Sequence, residues 1–167
     1  MANQGYAMRL KEFRKINLRQ GVDPVTVEDV KFYNMKTVVE ENGNLCPIEG
    51  GTDIPFAIER IFYIYGVPVG DKRGFHAHHK TEQLLICLSG KVEVECKDGK
   101  REKSFVLDSP QKGLYVPPMI WDETIYLTEE TVLLSLCSTK YHPSDYIDDY
   151  NVLMSSPKSE KLKKSET

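Results

Sequence analysis

The stretch Gly70-Asp-Lys-Arg-Gly-Phe-His-Ala-His-His-Lys-Thr-Glu-Gln-Leu-Leu-Ile-Cys-Leu-Ser-Gly90 sets the fold of this chain. Three of the four histidines fall within residues 76–79, and an almost continuous apolar run, Gln83 to Leu88, follows at once. Side chains alternate along a strand, so His76 and His78 share one face while Ala77 and His79 take the other. The apolar run reads as a strand buried on both sides. Beyond Gly90, Val92, Val94 and Cys96 alternate with Glu93, Glu95 and Lys91, the pattern of a half-buried strand. Asp98-Gly99 is a tight hairpin turn, and Ser104–Leu107 returns across it.

Outward from this block the same signal recurs. Ile58–Val67 (IERIFYIYGV), Gly113–Pro117 and Thr131–Ser138 are short runs rich in Val, Ile, Leu, Tyr or Phe, bounded by turn residues. Tyr146–Leu153 reads as a closing helix. Many short strands with helices only at the ends predict an all-β sandwich or barrel with short terminal helices. Residues 1–30 form an N-terminal extension in which MRLKEFRKINL is amphipathic, residues 31–153 form the domain, and residues 154–167 are a polar tail expected to be disordered.

The 167 residues favour one domain with a real core. A net charge of −3 gives no broad basic surface, so nucleic acid is excluded as an expected partner. No apolar stretch approaches the ~20 residues that cross a bilayer, and the N-terminus lacks the features of a secretory signal. Cys46, Cys87, Cys96 and Cys137 form no CxxC pair and read as reduced thiols of a cytoplasmic protein.

Paired imidazoles admit three readings: a solvated basic loop, a divalent metal site, or acid–base catalysis, since imidazole titrates near neutrality. The spacing narrows them. Gly70, His76, His78, Glu82 and Gly90 nearly reproduce the first cupin motif, with seven residues rather than the usual six between the acid and the last glycine. The second motif of metal-binding cupins carries a further histidine. The corresponding stretch here, Gly113 to Asp122, has none, and Asp122 stands roughly where that ligand would be.

Four segments in order extend the resemblance: Arg73–His78 (RGFHAH), Ile54–Tyr65 (IPFAIERIFYIY), Leu107–Trp121 (LDSPQKGLYVPPMIW) and Ser144–Tyr150 (SDYIDDY). Together they resemble the dTDP-sugar 3,4-ketoisomerases, WxcM-like cupins with a double-stranded β-helix (jelly-roll) fold. The resemblance implies a metal-free, cofactor-free isomerase and a homodimer with exchanged N-terminal strands. The implied reaction converts dTDP-4-keto-6-deoxyglucose to its 3-keto isomer for 3-amino-sugar biosynthesis. The alternatives are a dTDP-keto-sugar epimerase, a metal-dependent cupin oxygenase and a non-catalytic sugar-binding cupin.

By that resemblance His78 is the carbon base, His76 shuttles a proton between the two sugar oxygens, and Arg73 grips the pyrophosphate. Glu49 would contact the nucleotide across the dimer, next to Asn42, where the related epimerases carry an arginine. Tyr63 and Tyr65 share one face of their strand and Arg60 the other, and Tyr63 is the pocket candidate of the three. Trp121 would cover the sugar or the base, and Asp122 would contact the sugar where several family members carry histidine.

Overall fold

The computed structural model describes residues 24–156. The amphipathic N-terminal stretch and the polar tail beyond Ser156 lie outside these residues. Twelve strands are formed among the described residues: β1 (Lys31–Asn34), β2 (Val38–Glu40), β3 (Gly43–Leu45), β4 (Arg60–Ile64), β5 (Lys72–His78), β6 (Gln83–Ser89), β7 (Val92–Lys97), β8 (Glu102–Leu107), β9 (Lys112–Val116), β10 (Trp121–Tyr126), β11 (Val132–Cys137) and β12 (Tyr146–Ile147). A short helix, α1 (Tyr150–Ser155), closes the described chain. Two five-stranded sheets face each other, ordered β1-β9-β6-β11-β4 and β12-β5-β10-β7-β8, and β2 and β3 form a separate hairpin. Sequence neighbours such as β5 and β6 sit in different sheets, the interleaving of a jelly roll.

The principal core lies between the sheets. Val92, Val94 and Cys96 of β7 meet Leu85 and Cys87 of β6, Leu114 and Val116 of β9, and Leu133 of β11. The other face of the first sheet is also covered: Leu84, Ile86 and Leu136 pack under Met35, Ile54 and Phe56. Burial on both faces is why β6 reads as an unbroken apolar run while β7 alternates.

At the β7–β8 turn, Gly99 takes φ +95°, a conformation that suits glycine. The Asp98 carboxylate accepts the N–H groups of Lys100 (3.0 Å) and Arg101 (2.9 Å). It also accepts Val27 N–H at 3.0 Å. That third bond pins a short 3-10 turn, Val27–Asp29, and sets Val27 and Val30 into the principal core. Residues 27–30 are therefore part of the packed body rather than of an appended extension.

Tyr146 and Ile147 are strand, paired with His78 and Ala77, and the helix starts only at Tyr150, where the Asp149 side chain accepts Asn151 N–H. β10, which the sequence did not announce, is central in the second sheet. Among the described residues no helix is long and apolar enough to cross a membrane.

Candidate active site

The register between β5 and β10 builds the site. Thr124 pairs with Arg73, Glu123 with Gly74, and then Asp122 with His76, so Phe75 is skipped as a β-bulge. Gly74 (φ +90°) and Phe75 (φ +61°) carry the left-handed backbone that the bulge requires. A Cβ at Gly74 would stand 2.8 Å from the Asp122 carbonyl oxygen, so only glycine fits.

The bulge has a geometric consequence. In an unbroken strand Arg73 and His76, three residues apart, would point to opposite faces. With Phe75 skipped, Arg73 joins Thr124 on the same face as Asp122 and His76. Across β10 that face continues as Val94 and Cys96, which are core residues, so it is the inner one. His78 lies two residues further along it, with Tyr146 directly opposite on β12. The inner wall of one sheet thus presents Arg73, His76, His78 and Tyr146 in sequence.

The two imidazoles lie side by side, ring centroids 5.0 Å apart, and both touch the Tyr146 ring, at 5.1 Å from His76 and 4.5 Å from His78. His78 is only 3% exposed. Its Nδ1 lies 3.0 Å from Oδ2 of Asp145. That same oxygen accepts the Thr81 hydroxyl, itself hydrogen-bonded to Thr139, and the other carboxylate oxygen accepts Lys80 N–H at 2.8 Å. Burial, reinforced by His76, pulls the His78 imidazole down to about 4 against the opposing pull of Asp145. Burial pushes the Asp145 carboxyl up, but bonds from Thr81, His78 and Lys80 N–H outweigh it and hold the group below the usual carboxylate range.

His78 is therefore neutral at pH 7. With Nδ1–H donated to Asp145, its Nε2 carries the lone pair, and that atom is buried without a partner among the described residues. A buried acceptor left unbonded costs about 1–3 kcal/mol. This is the state of a base whose proton arrives with a ligand.

Asp122 faces His76 from β10 and is 5% exposed, and its Oδ2 is likewise buried and unpartnered. Burial pushes its carboxyl up, with Glu123 adding and His76 opposing. Arg73 remains exposed at the rim, where its charge bears on the Tyr126 hydroxyl.

Three sequence candidates are not brought to this wall. Tyr63 lies on the outer face of β4, 64% exposed and stacked on Tyr65 at 5.8 Å. The inner face of β4 belongs to Arg60, Phe62 and Ile64, opposite Cys137, Ser135 and Leu133. Trp121 is outward too: its ring packs on Tyr150 at 5.3 Å, and its indole N–H donates to Glu123 at 3.1 Å. It packs in one cluster with Ala77, Ile147 and Leu153. Glu49 is exposed on the loop between β3 and β4, where its N–H donates to Asp53 Oδ2 at 2.8 Å.

The acid of the cupin motif, Glu82, is also elsewhere, accepting the Tyr115 hydroxyl at 2.6 Å. Among the described residues no three His, Cys, Asp or Glu side chains are grouped to hold a metal ion.

Asp145, Thr81, Tyr146 and Arg60 were not singled out from the sequence. Asp145 and Tyr146 lie within the SDYIDDY segment, where an acid directly in front of a tyrosine, in a chain with a strand histidine pair, is the signal available. Arg60 crosses from the opposite sheet. Its charge bears on the Tyr146 hydroxyl, and its guanidinium lies 3.6 Å from Cys137 Sγ. The aromatic rings of Phe62 and Tyr141 each stand 5.6 Å from it.

Comparison with known proteins agrees with this architecture. Residues 28–158 match the family described as FdtA: WxcM-like, C-terminal. The TDP-4-oxo-6-deoxy-alpha-D-glucose-3,4-oxoisomerase of Aneurinibacillus thermoaerophilus is 40% identical over 121 residues, covering 72% of this chain and 87% of that protein. The 3,4-ketoisomerase QdtA of Thermoanaerobacterium thermosaccharolyticum, solved as a histidine-to-asparagine mutant with TDP-4-keto-6-deoxyglucose, is 39% identical. It superposes with a TM-score of 0.75 over 81% of this chain and 95% of that one. WlaRB, a TDP-quinovose 3,4-ketoisomerase of Campylobacter jejuni, is 31% identical with a TM-score of 0.74, over 77% and 99% of the two chains. This chain therefore belongs to the WxcM-like family of sugar 3,4-ketoisomerases.

Proposed function

We propose that the protein converts TDP-4-keto-6-deoxyglucose to the 3-keto isomer through an enediol. The observation that carries this reading is the His78–Asp145 pair with His76 beside it. A ketone at sugar carbon 4 acidifies the hydrogen on carbon 3. Neutral His78, fixed in one tautomer by Asp145, removes that proton at Nε2. The electron pair moves to the oxygen on carbon 4. His76 carries a proton from the carbon 3 hydroxyl to that oxygen, and reprotonation at carbon 4 leaves the ketone at carbon 3. Atoms and charge balance without an oxidant.

Arg73, which the Gly74–Phe75 bulge turns inward at the rim, grips the pyrophosphate in a bidentate fork. Asp122, opposite His76, contacts the sugar. Tyr63 and Trp121 have no substrate contact in this reading. Glu49 reaches the nucleotide only across a homodimer, which we read as formed by exchange of the N-terminal strands. The exposed apolar side chains Val39 (74%) and Leu45 (62%) on the β2–β3 hairpin support that arrangement. Four free cysteines fit a cytosolic setting.

The test is incubation with TDP-4-keto-6-deoxyglucose, followed by NMR of the product. A 3-keto sugar is expected. Inversion at carbon 5 with the ketone retained at carbon 4 would make the protein an epimerase. Binding of TDP with no change in the sugar would make it a binding module, and activity lost with a stoichiometric metal removed by chelator would make it a metal cupin.

A further inference from the structure

Charge accumulates on the oxygen of carbon 4 when the carbon 3 proton leaves, and His76 answers it only with a proton still to be collected from the carbon 3 hydroxyl. A site in a low-dielectric barrel needs a preorganised donor there. Tyr146 occupies the place. Its ring closes a triangle with both imidazoles, it is paired in register with His78, and it faces inward. The charge of Arg60, which comes from the other sheet and stands on its inner face, bears on the hydroxyl.

Resting on the isomerase reading, we propose that Tyr146 is a catalytic residue, its hydroxyl donating a hydrogen bond to the enediolate oxygen, and that Arg60 is the positioning residue that aims it.

Three observations support the pair. Burial raises the Tyr146 hydroxyl, with Arg60 opposing, so the group is protonated at neutral pH and available as a donor. Arg60 is held on several sides by Tyr141, Phe62 and Cys137, which fixes its direction. Its Nε is nevertheless buried without a partner among the described residues, a cost that a guanidinium with a purely structural role would avoid by bonding its available donor. In the step itself the C–H electron pair becomes the enolate π bond as the carbonyl π pair moves onto oxygen. His78 holds the proton, and Tyr146 keeps its own while sharing it in a hydrogen bond. The one enzyme bond made is Nε2–H on His78, broken again when carbon 4 is protonated.

The experiment is steady-state kinetics on TDP-4-keto-6-deoxyglucose for wild type, Tyr146→Phe, Arg60→Lys and Arg60→Met, with TDP affinity measured by calorimetry. Removing one such donor lowers turnover by about 10²–10³-fold. Tyr146→Phe is therefore expected to lose kcat on that scale while KM and TDP affinity stay within about threefold. Arg60→Met is expected to lose at least about tenfold in kcat and Arg60→Lys to recover part of it. If Tyr146→Phe fails to fold, the lysine–methionine contrast at Arg60 decides. Wild-type turnover retained in Tyr146→Phe, or a raised KM at unchanged kcat, overturns the proposal and leaves the isomerase reading standing. A wild type that does not isomerise overturns both.

Discussion

His78 Nδ1 and Asp145 Oδ2 stand 3.0 Å apart, joined across 67 residues of chain by the pairing of β12 with β5. The carboxylate is itself fixed by Thr81 and by the N–H of Lys80. Asp145→Asn keeps the shape but offers an amide where an anion stood. Nδ1 then loses its preferred acceptor and the imidazole its tautomer. A loss of kcat of about 10²–10⁴-fold is expected, with TDP affinity unchanged by calorimetry.

The low proton affinity of His78 makes stability depend on pH. Folded, the group titrates at about 4; its ordinary value is 6.5. Between these the unfolded chain binds the proton and the native one does not, so stability falls as pH drops from about 6.5 to about 4 and is unaffected by this group above 6.5. The loss from this residue alone is on the order of 3 kcal/mol. Urea unfolding at pH 7 and pH 4.5 measures it, and His78→Gln is expected to show a shallower dependence. Equal slopes would remove the claim that His78 is buried neutral.

The bulge at Gly74–Phe75 puts Arg73 on the same side as the histidines. Gly74→Ala sets a methyl 2.8 Å from the Asp122 carbonyl oxygen at a φ of +90°. Destabilisation of about 1–3 kcal/mol is expected, read as a fall in Tm, along with a rise in KM for the TDP-sugar as Arg73 is displaced. A variant with native Tm and KM would show that the bulge is not needed.

Trp121 tests the outward assignment. Its indole packs against Tyr150 beside Leu153 and bonds Glu123. Trp121→Phe is expected to lower stability by about 1–2 kcal/mol and leave KM for the sugar nucleotide unchanged. A KM raised tenfold at native stability would place the ring over the substrate after all.

The strands that could be seen in the sequence are those whose burial is simple. β6 is covered on both faces and β7 on one, and their apolar patterns say so directly. β10 was missed because its inward positions carry Asp122 and Thr124, which are polar for the sake of the site. The same conflict hid β12, two residues long. On β4 both faces are apolar, Ile61, Tyr63 and Tyr65 against Phe62 and Ile64, so alternation could not tell inside from outside, and Tyr63 was chosen over Arg60. The histidine pair was legible because residues two apart on a strand share a face whatever the surroundings. Asp145 was not, since its link to His78 exists only once β12 has paired with β5.

The most direct test of neutral His78 as the carbon base is deuterium exchange at carbon 3 of TDP-4-keto-6-deoxyglucose in heavy water, followed by NMR for wild type, His78→Asn and His76→Asn. Wild type is expected to exchange and isomerise. His78→Asn is expected to do neither while still binding TDP, and His76→Asn to exchange at carbon 3 but isomerise slowly. Exchange that persists without His78 and vanishes without His76 would contradict it.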